Sequence, residues 1–270
     1  MRIISLTSIP PRFPYLKETL ESLVAQNAAD EIRLYLAKKY RRFPDYDGEL
    51  PDVPNGVMIC QIDEDLGPAT KILPACKDFR GQDVQILFCD DDGIFPAGWA
   101  KRLFDFQATR KSEAVATWGR PVGGYINNSV SPCKGRYAEQ MRIERDIRYR
   151  MERVLQKIFG FVPLRRPMRT AGYADVFFGV CGVVVKPDFF DEEAYNIPDE
   201  AWTVDDVWLS AQLARRNIPL YCPGRLPCPR SSEAEQKDAL LDLEFQGDTR
   251  QESNRKAAQY CQKKYGIWKG

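Results

Sequence analysis

The stretch VQILFCDDDGIFPAGW, residues 84–99, decides how this chain is read. Val84 to Cys89 is an almost unbroken apolar run, the pattern of a strand covered on both faces. It ends abruptly in Asp90, Asp91 and Asp92, and Gly93-Ile94-Phe95-Pro96 turns the chain away. Working outward, VMICQI (57–62) reads as another strand, and DEDLGPATKILPAC opens a helix after Gly67-Pro68. RIISL (2–6) reads as a short buried strand, and 30–37 alternates as a second. Leu16, Leu20, Leu23 and Val24 recur at helical spacing and predict an amphipathic helix over 14–26. Strands and helices in alternation mean a mainly parallel central sheet flanked by helices on both faces, an α/β fold with a Rossmann-like nucleotide-binding half.

Downstream the rhythm loosens. AVATW (114–118) reads as a strand, 123–135 as a Gly/Asn/Ser-rich loop, and 136–159 as a charged helix. DVFFGVCGVVV (175–185) reads as a strand pair or one glycine-kinked strand. A helix over 204–216, a strand at IPLYCPG and a helix over 251–264 complete the chain. One domain over 1–270 is the simplest account. It divides into a nucleotide-binding half (1–98), a second half (99–230) with a basic helical insertion near 136–169, and a C-terminal helical tail (231–270).

Composition narrows the chemistry. The chain has no histidine, so a Ser-His-Asp triad, a Cys-His dyad and an HExxH zinc site are all excluded. A net charge of +1 argues against a nucleic-acid partner. Eight cysteines without a CxxC pair argue against a thiolate zinc site. Cys60, Cys89 and Cys181 lie in apolar runs and are expected to be free small hydrophobes. The start MRIISLTSIPPR is short of apolar residues for a signal peptide, and no run approaches the roughly 20 residues of a membrane span. A reducing, cytoplasmic setting is expected.

Ligands of parallel α/β sheets bind beyond the carboxyl ends of the strands, where Asp90, Asp91 and Asp92 stand. Three adjacent carboxylates repel unless neutralised. A hard divalent cation bound through oxygens relieves that repulsion and bridges to a diphosphate. The bland alternative is a solvated acidic turn.

At this point the sequence resembles a family. FCDDDGIFPAGW after the fourth strand looks like the DxD motif of nucleotide-sugar glycosyltransferases of the GT-A fold, and the Pro four residues past the last Asp resembles the large bacterial inverting family. TSIPPR sits where such enzymes hold the nucleotide base, LGPATKI where a basic residue approaches the nucleotide, and TVDDVWLSAQLARR resembles their acidic-pair segment. The resemblance covers about residues 1–225. It implies a metal-dependent, inverting transfer from a nucleotide-diphosphate sugar to a hydroxyl on a glycan or lipid-linked acceptor, in bacterial surface glycan (polysaccharide) assembly. Asp206 is then the catalytic base and Asp205 its support. Asp91 and Asp92 hold Mn²⁺ or Mg²⁺, and Thr7, Ser8, Arg12, Lys71 and Asp90 bind the nucleotide. Gly179 and Gly182 approach the donor sugar or acceptor. One departure stands out: Ala37-Lys38-Lys39 occupy the place of the usual acidic contact to uracil, so the base is open.

The insertion over 136–159 carries seven cations, from Arg136 to Lys157, against Glu139, Glu144, Asp146 and Glu152. Its stripe of Tyr137, Met141, Ile147, Met151, Val154, Leu155 and Ile158 is expected to pack into the core, with the charges on a solvated face. The alternative is contact with an anionic acceptor or peripheral contact with an anionic membrane at its inner face. Two rival functions remain. DDDGIF also fits a haloacid-dehalogenase-like phosphatase with Asp90 as nucleophile, Thr117 and Lys186 downstream and Asp205–Asp206 on the metal. A non-catalytic nucleotide-sugar-binding module is the other.

Overall fold

The computed structural model describes residues 1–126, 130–142, 146–160, 162–237 and 249–269. The expected alternation is present through the first 108 residues. Strands β1 (Arg2–Thr7), β2 (Glu31–Ala37), β3 (Val57–Ile62) and β4 (Gln85–Phe88) interleave with helices α1 (Lys17–Val24) and α2 (Leu73–Asp78). A two-residue strand β5 (Gly93–Ile94) and helix α3 (Trp99–Ala108) follow. Strands β6 (Ala114–Ala116), β7 (Gly119–Arg120), β8 (Gly172–Ala174), β9 (Val176–Phe177), β10 (Val183–Val185), β11 (Leu220–Cys222) and β12 (Arg230–Ser231) lie in the second half. So do helices α4 (Gly123–Ile126), α5 (Ile147–Ile158), α6 (Asp205–Arg215) and α7 (Arg250–Tyr265).

Eight strands form one sheet in the order β3-β2-β1-β4-β10-β6-β11-β8. The first four run parallel, β6 and β11 are parallel, and β10 runs antiparallel to both its neighbours. Side chains alternate across this sheet as its pleat requires. Ile4, Leu87 and Val184 face α1 and α3, while Ile3, Ile86 and Val185 face α2, α6 and α7. At about 25 cal/mol per Å² of apolar surface buried, these two packed layers are what hold the sheet between its helices.

Phe88, the last residue of β4, pairs with Ser5 of β1 on one side and Val183 of β10 on the other. The three aspartates therefore leave the sheet where the parallel strands end and where β10 enters. β12 pairs with β5, and the Ser232 N–H donates to the Asp92 carbonyl at 2.8 Å, so this segment covers the aspartate turn.

Several expectations are corrected. The segment 136–142 is not helical. Tyr137 bridges to Tyr173 and Gln140 to Met168, so pairing with the β8 region overrides local helix propensity. The helix starts only at Ile147, where the Asp146 carboxylate caps it by accepting from the Tyr149 N–H at 2.9 Å. Arg145 and Glu144 lie outside the described residues. The glycine-rich segment from 123 holds the short helix α4. Cys181 is no free hydrophobe: it forms a disulfide with Cys228, because the 3-10 turn before β10 brings it against the segment entering β12. The C-terminal helix is no appended tail either. Ala257, Ala258 and Cys261 of α7 are buried against α6, and the helix has a Thr249–Glu252 capping box and Gly266 in the left-handed conformation at its end.

Candidate active site

Two cations of the chain organise the carboxylates. Arg12 lies on a tight 3-10 turn, Pro10–Tyr15, forced by three prolines directly after β1. One Nη of its guanidinium meets Asp91 Oδ1 at 2.5 Å and Asp92 Oδ2 at 3.3 Å, and its Nε donates to the Lys237 carbonyl. The other Asp91 oxygen accepts from the Ser8 hydroxyl at 2.5 Å. Both Asp91 oxygens are thus engaged, and the side chain is buried. Burial outweighs Arg12 and Ser8 and pushes the Asp91 carboxyl up. Asp92, more open, is raised to about 7 by burial and by the charges of Asp90 and Asp91.

Lys71 is the second hub. It ends the 3-10 turn Gly67–Lys71, and the Ser5 hydroxyl donates to its carbonyl at 2.7 Å. Its ammonium is buried, 2.6 Å from Asp90, 2.9 Å from Asp205 and 3.7 Å from Asp206. Burial alone would lower its pKa, but the three carboxylates hold it well above the ordinary lysine value. Asp205 and Asp206 open α6 and gain from its positive end. Asp206 Oδ1 accepts from the Gly179 N–H at 3.1 Å. Burial, with Asp205 and Asp90 against Lys71, raises the Asp206 carboxyl to about 7.

The expected residues are therefore brought together, with altered emphasis. Lys71 and Arg12, expected on nucleotide phosphates, stand first among carboxylates. Thr7 lines the cavity and donates its hydroxyl to the Tyr35 carbonyl at 2.7 Å. Gly179 and Gly182, expected beside a sugar, do not line the cavity; they make room behind it. A Cβ on Gly179 would stand 2.5 Å from the Lys71 ammonium nitrogen. At Gly182, where φ is +93°, it would strike the Trp99 indole at 2.3 Å.

These groups open on one cavity of about 630 Å³, within the range of small-molecule sites. Near the ends of β1 to β3 it is walled by Tyr40, Phe43 and Asp65. Tyr40 donates its hydroxyl to the Ser8 carbonyl at 3.1 Å and packs edge-on against Phe43. At the other end, Trp118 and Phe178 stack with centroids 4.1 Å apart, and Arg165 lies 4.2 Å over Trp118. Trp202, Tyr125 and Arg250 close the wall. Apart from Arg165, which belongs to the basic insertion over 136–169, none of these was singled out from sequence. Tyr40, shortly after a strand's carboxyl end, carried a usable hint, whereas Trp118 and Phe178 meet only through the β7–β9 pairing.

A divalent cation, expected on Asp91 and Asp92, fits this corner in a narrower way. Both Asp91 oxygens already accept hydrogen bonds, from Arg12 and Ser8. Asp92 Oδ1 makes no hydrogen bond among the described residues, and burial, with the neighbouring charges of Asp90 and Asp91, raises its carboxyl despite Arg12. No group of three or more Cys, Asp or Glu converges on a metal position among the described residues. Hard cations need only one or two carboxylates when substrate phosphates supply the other oxygens. Asp92 is the residue that suits such a shared site. The phosphatase constellation does not assemble: Lys186 pairs with Asp83 at 2.6 Å at the opposite end of β10, and Asp90 meets Lys71 instead.

No family model and no curated protein matches the chain. Among solved structures it is similar to the mannosyltransferase PcManGT from Pyrobaculum calidifontis, in complex with GDP-Man and Mn2+. The identity is 15%, the TM-score 0.48, and the match covers 85% of this chain but 56% of that one. The chain thus spans little more than half the length of that enzyme, and a likeness of this size assigns no activity.

Proposed function

We propose that the chain is a glycosyltransferase that moves a sugar from a nucleotide-diphosphate sugar to a hydroxyl acceptor with inversion. One observation carries the reading. One cavity is lined by an aspartate corner able to share a cation with a diphosphate and, across the Lys71 ammonium from Asp90, by a carboxylate whose pKa lies near neutrality. A binding module has no use for the second carboxylate.

In this reading the Tyr40–Phe43 wall takes the nucleotide base and Asp90 the ribose. Asp92 holds the cation together with the diphosphate, and when bound the cation neutralises charge on the departing phosphate. Arg12 keeps the aspartate turn in place and supplies positive potential behind it. Asp206, fixed by the Gly179 N–H, accepts the acceptor's proton as that oxygen forms its bond to the anomeric carbon. The bond from that carbon to the phosphate oxygen breaks on the opposite face, and the electron pair leaves with the nucleoside diphosphate. A base with a pKa of about 7 is matched to this task at neutral pH. The Trp118–Phe178 pair offers a flat apolar face on which a sugar ring can rest.

The test is thermal denaturation with UDP, GDP, CDP or TDP, with and without Mn²⁺, followed by release of nucleoside diphosphate from the matching sugar nucleotide. Stabilisation by one nucleotide that survives Asp206→Asn, with turnover that does not, supports the reading. Absence of any nucleotide effect, with phosphatase activity lost in Asp90→Asn, overturns it.

A further inference from the structure

The stripe expected to pack into the core is exposed. Of ten large apolar side chains that stand exposed among the described residues, seven fall between 147 and 162. Five lie on α5 (Ile147, Met151, Val154, Leu155 and Ile158), and Phe159 and Val162 follow it. At 3.6 residues per turn the five cover one stripe about 100° wide. Ile147 is 75% exposed, and Ile158 and Phe159 are each 71% exposed. The opposite side of α5 holds the helix to the protein. There Tyr149 is buried, its hydroxyl accepts from the Arg166 N–H at 3.0 Å, and Arg166 pairs with Glu152 at 2.6 Å. The apolar stripe faces away from its own core.

Cations border it. On the helical wheel Arg148 stands on one flank of the stripe, Arg150 and Lys157 on the other, and neither of the latter two has an ion-pair partner among the described residues. Residues 146–169 carry seven Lys and Arg against Asp146 and Glu152, a net +5, so the rest of the chain carries a net −4. A second copy docked on this face across a two-fold axis would oppose like charges. An anionic surface with an apolar interior complements both features.

We propose that α5 and the residues after it dock on an anionic lipid bilayer, the stripe entering the interface and the flanking cations meeting headgroups. The helix, at 12 residues, lies on the membrane and does not cross it. Pro163 and Arg165, directly after the stripe, line the cavity. Docking therefore brings its mouth to the headgroup layer, where a lipid-borne hydroxyl can enter; this last step rests on the transferase reading.

The test is co-sedimentation of the full chain with phosphatidylcholine vesicles, with and without phosphatidylglycerol, at low and high salt. The variants are Ile158→Asp/Phe159→Asp and Arg150→Glu/Lys157→Glu, all at exposed positions, with circular dichroism confirming the fold. Binding that requires phosphatidylglycerol, weakens with salt and falls about tenfold or more in both variants is expected. No sedimentation, sedimentation that the variants leave unchanged, or a dimer that the apolar variant dissolves would each overturn the proposal. Nucleotide-induced stabilisation is measured in parallel. Vesicle binding without any nucleotide effect would sink the transferase reading and leave the membrane surface standing.

Discussion

The two cation–carboxylate knots use different cations for different ends. At Arg12, a rigid guanidinium meets a buried carboxylate whose second oxygen is held by Ser8, so both of its oxygens are engaged. At Lys71, a compact ammonium faces three carboxylates, Asp90, Asp205 and Asp206, more negative charge than it can cancel. Burial, together with the charges of Asp205 and Asp90, raises the Asp206 carboxyl to about 7. One knot fixes the shape of the aspartate turn, and the other leaves a proton acceptor beside the cavity.

Replacing Lys71 by Met breaks this contrast hardest. It strands three acids around a buried apolar side chain, a loss on the order of 3–5 kcal/mol for a broken buried ion pair. Chemical denaturation should show that loss, together with the loss of nucleotide binding. A variant as stable as the parent would show that Lys71 is not the hub described.

Asp206→Asn should separate the knots most cleanly. Turnover should fall by about 10² to 10⁴, while nucleotide-induced stabilisation persists because the aspartate turn is untouched. Steady-state kinetics beside thermal denaturation decides it, and an equal loss of both would place Asp206 in binding.

The pH dependence sharpens the same point. Asp206 keeps its proton in the folded chain up to about pH 7, against 3.8 for an ordinary aspartate. The folded state therefore binds the extra proton between these values. This group's contribution to stability is complete below the lower value and is lost as pH rises through about 7. Activity should run the opposite way, rising with pH through the same range as the base ionises. Melting temperatures across pH 4–8 should fall more steeply for the parent than for Asp206→Asn, and parallel curves would refute the assignment.

Arg12→Lys is the mildest break. A lysine can reach Asp91 but cannot also donate to the Lys237 carbonyl in the planar fork. A cost of about 1–2 kcal/mol in unfolding, with Asp206-dependent pH behaviour unchanged, is expected. If the acid limb of the activity profile moves as well, the two knots are coupled.

Much of this was legible in the sequence. The strands through Phe88 are marked by apolar runs and alternation, and α6 and α7 by helical spacing, because each is decided by neighbours in the chain. The aspartate triplet and the Asp205–Asp206 pair stood out as carboxylates at element ends. Their meeting at Lys71 did not, since it depends on packing α6 against the Gly67–Lys71 turn, which lies far away in sequence. The segment 136–142 misleads for the same reason: its charges and apolar spacing suit a helix, yet its partners lie some thirty residues on, at Met168 and Tyr173. The stripe on α5 has a core-like pattern, and periodicity alone does not say which side of a helix meets the protein.

The reversed strand β10 has a wider consequence. Parallel strands deliver to one rim of the sheet only the segments that leave them, and a strand running the other way delivers the segment that enters it. Phe178 to Gly182, ahead of Val183, thus reach the same rim as the aspartates while belonging to a different stretch of chain. The wall they build can lengthen, shorten or change character without shifting the register of β4. Descendants of this chain could in that way change that wall of the cavity while keeping the aspartate corner.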